Sequence, residues 1–267
     1  MASAQSAVGD PGTNPALSAR AAALLARIDR ELPTLARELI PRSPSVSARF
    51  LDRPDDPGEH KPEWHQYGII THTRQFVAAL REAVPGALRR IDPAIAARAD
   101  AYFAASLDDL TRWELLRVAG YWHEVGKFTT RTVGRRGDWR FIGHAHDSAR
   151  LIAAGAAGGL GARYGLTVAQ TAFVARLADL HYAPMELKLA LDRGGGVPVG
   201  RDVYAGIAAN LGAEGYAVCA LFWADCLSKG DTPRQRAQRP ALWELLVQTL
   251  RAVDAAARPA AHSITED

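Results

Sequence analysis

Cysteine and lysine are both scarce in this chain, and no apolar run approaches the roughly 20 residues needed to cross a bilayer. With only Cys219 and Cys226 there is no disulfide framework, and their spacing matches no zinc motif, so both are expected as buried, reduced thiols. The opening MASAQSAVGDPG has neither a basic stretch nor an apolar core of the kind that directs export, and a cytoplasmic protein without a membrane partner is expected. Lysine accounts for four of the 32 basic residues, at positions 61, 127, 188 and 229. The formal net charge of +3 favours anionic ligands but falls short of a duplex-binding surface.

What is present is a balance typical of globular domains, 48% hydrophobic and 23% charged residues over 267 positions. Residues 1–14 are rich in Ala, Ser, Gly and Pro without periodicity and read as a flexible tail, as do 259–267. Between them, 15–258 read as a single domain in which helices dominate. Asn14 and Pro15 supply a cap and first-turn proline for a helix carrying Leu17, Leu24, Leu25, Ile28 and Leu32 at helical spacing. A second carries Ile69, Ile70, Thr73, Phe76, Val77 and Leu80 and is expected to stop at Pro85 and Gly86. Further helices are predicted near 93–105, 110–125, 144–156, 167–181, 185–191, 202–210, 214–229 and 240–256. Loops are expected at 42–63, 158–161 and 194–196. At 129–142, β-formers flank Arg135-Arg136-Gly137-Asp138 and predict a short hairpin. The fold class is therefore all-α, a multi-helix bundle with one hairpin.

The informative residues are ionisable side chains placed where the helical pattern asks for apolar ones. His72 lies three residues after Ile69 and four before Phe76, on the apolar stripe of its helix. The doublet His123-Glu124 ends the apolar helix of Leu115, Leu116, Val118 and Trp122, with Gly126 expected as its C-terminal cap. His181 continues the face of Val174 and Leu177, and Asp225 that of Val218, Leu221 and Phe222. An unpaired carboxylate there would cost several kcal/mol. A lone histidine or aspartate on such a face usually finds an ordinary hydrogen-bond partner; Lys229, one turn from Asp225, is the obvious rival partner. Four helices each supplying an inward His, Glu or Asp are met more economically by a shared cation.

In order and type these residues resemble the HD superfamily of metal-dependent phosphohydrolases over roughly residues 60–230. The matching segments are ITHT with His72, YWHEVGK with His123-Glu124, FIGH with His144, LHYAP with His181 and WADCLSKG with Asp225. The stretch from Leu115 to Leu151 is similar to the HD region of bacterial tRNA nucleotidyltransferases and poly(A) polymerases; the glycine-rich start and paired aspartates of their polymerase head are not found here. Glu124 stands where the family has Asp and is one methylene longer.

The resemblance implies metal ligation by His72, His123, Glu124, His144, His181 and Asp225, with His144 and His181 serving a second ion. One or two divalent ions are expected, Mn, Fe, Co, Ni or Zn, with Mg also compatible. Such ions activate water for attack on a phosphate ester. Glu124 is then a catalytic candidate. Lys127, three residues on, matches the lysine of the family's HDxGK variant as a catalytic and phosphate-binding candidate. Arg131 is a second substrate-binding candidate, and His65 in EWHQYG a candidate proton donor; His146 and Asp147 are expected to pair locally.

The implied function is a phosphohydrolase acting on a nucleotide, a phosphate monoester or a cyclic phosphodiester. A di-iron oxygenase on the same scaffold is the first alternative. A degenerate module that binds nucleotide or RNA without turnover is the second.

Overall fold

A computed structural model of the chain describes residues 17–154, 158–193 and 201–258. Its architecture is all-α. The expected tails at 1–14 and 259–267, the cap at Asn14-Pro15 and the loop at 194–196 lie outside the described residues.

In chain order the helices are α1 (Ala19–Leu39), α2 (Ala48–Asp52), α3 (Ile69–Glu82), α4 (Val84–Ile91), α5 (Pro93–Ala104), α6 (Arg112–Trp122) and α7 (Lys127–Thr130). They continue with α8 (His144–Ala153), α9 (Leu160–Arg163), α10 (Val168–Leu180), α11 (Ala183–Arg193), α12 (Arg201–Leu211), α13 (Gly215–Ser228) and α14 (Pro233–Ala257). Their starts are written in the sequence. Thr111 with Glu114, Thr167 with Gln170 and Thr232 with Gln235 form reciprocal capping boxes opening α6, α10 and α14. Ser18 caps α1.

The predicted hairpin is present as β3 (Thr132–Val133) against β4 (Trp139–Arg140), antiparallel, with Gly137 at φ +78° in its turn. A smaller unexpected pair, β1 (Ser106–Leu107) and β2 (Leu110–Thr111), turns at Asp108, φ +57°.

The structure departs from several expectations. The helix expected to stop at Pro85 and Gly86 does end, at Glu82, but another follows at once: Pro85 occupies the first turn of α4, where its missing N–H costs nothing. The 42–63 segment includes the short α2, capped by Ser47, and Gly159 opens α9 within the expected 158–161 loop. Gly126 has φ −64° and is no left-handed cap; a β-carbon there would run into the carbonyl oxygen of His144, so glycine is required by the close approach of α8. Finally, Asp202–Ser228 is by length and composition apolar enough to cross a membrane. That stretch is two helices around a bend at Gly212, φ +56°.

The reason for its apolarity is central placement. Every residue of α13 except Leu227 is buried, and the helix packs against α3, α14, α10, α11 and α12. A helix enclosed on all sides has no use for a polar face. Around it α3 packs on α6, α6 on α10, and α10 on α8, so the helix bearing each expected ligand touches another such helix.

Away from this centre, Asp254 on α14 is buried and bonds to Arg98 (2.8 Å), Tyr216 (2.8 Å) and Arg258 (2.6 Å). Burial alone would raise its pKa, but these donors outweigh it and hold the carboxyl near about 2. A depressed carboxyl contributes stability above its unfolded pKa, and loses it as pH falls through the folded value. Asp254→Asn is accordingly expected to lower stability at pH 7 by about 1–2 kcal/mol, allowing for the exposure of both arginines. In thermal melts the deficit should shrink as pH drops from 4 towards 2; a deficit constant across that window would contradict the assignment.

Candidate metal centre

Six residues expected at the site converge on one point of the bundle. Ligand atoms of His72, His123, Glu124 and Asp225 all lie within 4.8 Å of one another, and so do those of Glu124, His144 and His181. Glu124 belongs to both groups. All are buried except His144, whose side chain is 12% exposed.

Local structure explains how each imidazole is aimed. His123 and His181 follow directly on the last residues of α6 and α10, and His144 begins α8 after Gly143 in the left-handed region, φ +77°. Each donates its Nδ1–H to the carbonyl three residues back: Gly120 (2.8 Å), Ala178 (2.6 Å) and Phe141 (2.8 Å). His72 uses Nδ1 on the carbonyl of Ser228 (3.3 Å), crossing from α3 to the end of α13. With Nδ1 committed to a carbonyl, Nε2 is left as the bare, acceptor nitrogen.

Those atoms find no conventional partner. His72 Nε2, His123 Nε2, His144 Nε2 and Asp225 Oδ1 are buried without hydrogen bonds. His72 Nε2 is 3.4 Å from Asp225 Oδ1, while Glu124 Oε1 is 3.7 Å from His123 Nε2 and 3.9 Å from His144 Nε2. Unmet acceptors at roughly 1–3 kcal/mol each are costly when facing one another. Their mutual separations suit atoms sharing an ion at bond lengths of about 2.0–2.2 Å. The donor set therefore fits a cation, and the sharing of Glu124 fits two.

Protonation points the same way. Burial, outweighing the attraction of Glu124, keeps His123 and His181 below the ordinary imidazole range and takes His144 to about 3. Neutral imidazole is the ligating form. For Glu124 burial opposes ionisation, yet Lys127 and the neighbouring histidines outweigh it and hold the carboxyl well below its usual range.

The rival pairing is present without displacing the cation argument. Lys229 Nζ lies 2.6 Å from Asp225 Oδ2, leaving Oδ1 turned to His72. In parallel, Lys127 Nζ lies 2.6 Å from Glu124 Oε2 and 2.9 Å from His60 Nε2. Each carboxylate thus shows one oxygen to a lysine and the other to the histidines.

Above the cluster opens a cavity of about 670 Å³ that reaches Glu124, His144 and Asp225 and is walled by His65, Lys127, Phe141, Tyr182 and Lys229. His65 stacks on His60 at 3.9 Å and meets the His72 ring edge-on at 4.7 Å. Burial, then the repulsion of His60 and Lys127, keeps it neutral.

Arg131 does not belong here. Its guanidinium is wholly buried, ion-paired with Glu59, bonded to the Ser45 carbonyl (2.8 Å) and stacked on Trp139 at 3.3 Å, so it fastens the 43–59 segment to the hairpin and lines no part of the cavity. His146 faces Asp179 (3.5 Å) at the rim, and Asp147 is held by Arg150 (2.7 Å) and Thr129. Cys219 and Cys226 are free, buried thiols.

Two contributors were not singled out in the sequence. His60 sits on a loop without periodicity, and only its nearness to His65 in HKPEWH hinted at it. Ser148, four residues and one turn beyond His144, could have been found from that spacing. Its hydroxyl donates to the His123 carbonyl (2.8 Å) and accepts from Gly126 N–H (2.8 Å), tying the Glu124 turn to the helix that starts with His144.

No protein-family model matches the chain, and no curated protein does.

Ser148→Ala removes both bonds and leaves a buried N–H unmatched, so a loss of about 1–3 kcal/mol is expected. Because the clamp sets Glu124 against His144, divalent-ion affinity should also fall, by about 10- to 100-fold. Denaturant unfolding and metal titration read the two effects; wild-type affinity in a destabilised variant would show that the clamp is only structural.

Proposed function

We propose that this chain is a metal-dependent phosphohydrolase of the HD type, acting on a nucleotide, a phosphate monoester or a cyclic phosphodiester. The observation that carries the reading is the pair of buried ligand groups joined by Glu124 at the floor of a cavity whose walls bear lysines. His72, His123, Glu124 and Asp225 would hold one ion, and Glu124, His144 and His181 the other. Histidine with carboxylate suits Mn, Fe, Co, Ni or Zn. When bound, such ions lower the pKa of water and polarise a phosphoryl oxygen.

The chain's own groups perform the remaining tasks. Lys127 and Lys229 neutralise the outer oxygens of Glu124 and Asp225, reducing the negative charge that an incoming phosphate would meet. His60, its Nδ1–H on the Tyr67 carbonyl (3.0 Å), accepts from Lys127 and fixes where that ammonium sits. His65, held neutral at the wall, is placed to accept or relay a proton rather than to act as a cationic acid. Phe141 and Tyr182 give the cavity apolar flanks against which a base or ring can lie. Glu124 in the doublet supports the same ligand role as the shorter Asp of the HD family, since its Oε1 reaches both His123 and His144.

A carboxylate shared by two ligand groups also favours a second reading, a di-iron oxygenase. Oxygen consumption by iron-loaded protein, without phosphate release, would select it.

The test is phosphate release over a panel of nucleotides and phosphate esters with added Mn, Co, Ni or Mg. His123→Ala and Asp225→Ala are expected to reduce turnover by at least about 100-fold, the size of effect that accompanies loss of a metal's electrostatic contribution. Undiminished turnover in either variant would overturn the assignment.

A further inference from the structure

Three of the four lysines line this cavity, in a chain whose remaining 28 basic residues are arginines. They are not equivalent. Lys127 is buried and Lys229 largely so, and each is spent on a carboxylate of the candidate metal centre at 2.6 Å. Lys61 stands on the loop of His60 and His65, half-buried at the cavity wall, and makes no ion pair among the described residues. The neighbouring Arg140 is taken by Asp138 at 3.2 Å.

Charge balance then bears on the ligand. Two divalent ions would be offset by Glu124 and Asp225 only in part, and those carboxylates are already matched by Lys127 and Lys229. A single phosphate ester dianion would leave the floor of the cavity electropositive, with Lys61 above it attracted by Glu63 and Asp138 but ion-paired with neither. Of the rim carboxylates, Asp138 is engaged by Arg140, and Asp179 by His146 at 3.5 Å and Arg176 at 3.9 Å, leaving Glu186 on α11. Burial, followed by the repulsion of Lys127, pulls the Lys61 ammonium below the ordinary lysine range, a tension that a bound anion relieves.

Building on the phosphohydrolase reading, we propose that Lys61 anchors a second anionic group of the ligand, so that the cavity takes a compound with two phosphate groups in preference to a simple monoester. One phosphate lies at the metal centre and the other against Lys61. An ammonium is suited to this as a compact point charge that can follow a phosphate without a fixed fork.

The experiment is equilibrium binding of orthophosphate and pyrophosphate to manganese-loaded protein freed of excess metal, for wild type, Lys61→Gln and Lys61→Arg. Wild type is expected to prefer pyrophosphate by about tenfold or more. Lys61→Gln should lose most of that preference while its orthophosphate affinity falls less than threefold, and Lys61→Arg, which keeps the charge, should retain it. A wild-type protein without preference, or a preference that survives in Lys61→Gln, overturns the inference while leaving the phosphohydrolase reading intact. Failure to bind either anion, together with no phosphate release from any ester, overturns both.

Discussion

The structure is organised around acceptors that face one another without donors. Three bare imidazole nitrogens and one oxygen of Asp225 are buried together, with Glu124 Oε1 between two of those histidines. In a low-dielectric interior such a group is costly, and among the described residues these atoms have no hydrogen-bond donor. A cation converts the same arrangement from a penalty into a source of stability. The helices that carry these atoms pack against one another in a continuous series, so the energetic demand at the centre is also a demand on how the bundle is assembled.

Lysines moderate that centre while leaving its inner acceptors able to hold a cation. Lys127 and Lys229 each take the outer oxygen of one carboxylate and leave the inner oxygen turned towards histidine. The backbone does the aiming. Nδ1 of His72, His123, His144 and His181 is tied to a carbonyl, for His123 and His181 to one in the last turn of the helix each follows, which fixes the tautomer and the ring together. A helix end is well suited to this, because its last carbonyls have no intrahelical donor.

The sequence disclosed the parts governed by periodicity. His72 and Asp225 stand at apolar positions of regular helices, and the pattern that made them conspicuous is the packing that buries them. The capping threonines were there to be read but were not used, and the last helix, expected from 240, begins at Pro233 behind Thr232. What was hidden depends on contacts distant in the chain. Arg131 looked available for substrate because nothing local says that Glu59, some 72 residues earlier, takes its guanidinium. Gly126 looked like a cap, yet its need for glycine comes from the approach of α8. Pro85 read as a terminator because proline marks the end of one helix and the first turn of the next with the same residue. His60 lay in a loop, where no period distinguishes an inward side chain from an outward one.

The central claim is that Glu124 joins two cation sites into one centre, and metal stoichiometry tests it most directly. Purified chain, stripped and then titrated with Mn or Zn, should take up two ions. His181→Ala should retain one of them, and Glu124→Ala, which removes the shared ligand, should bind both weakly or not at all. Two tight ions in Glu124→Ala, or none in the intact chain under any divalent metal, would contradict the account.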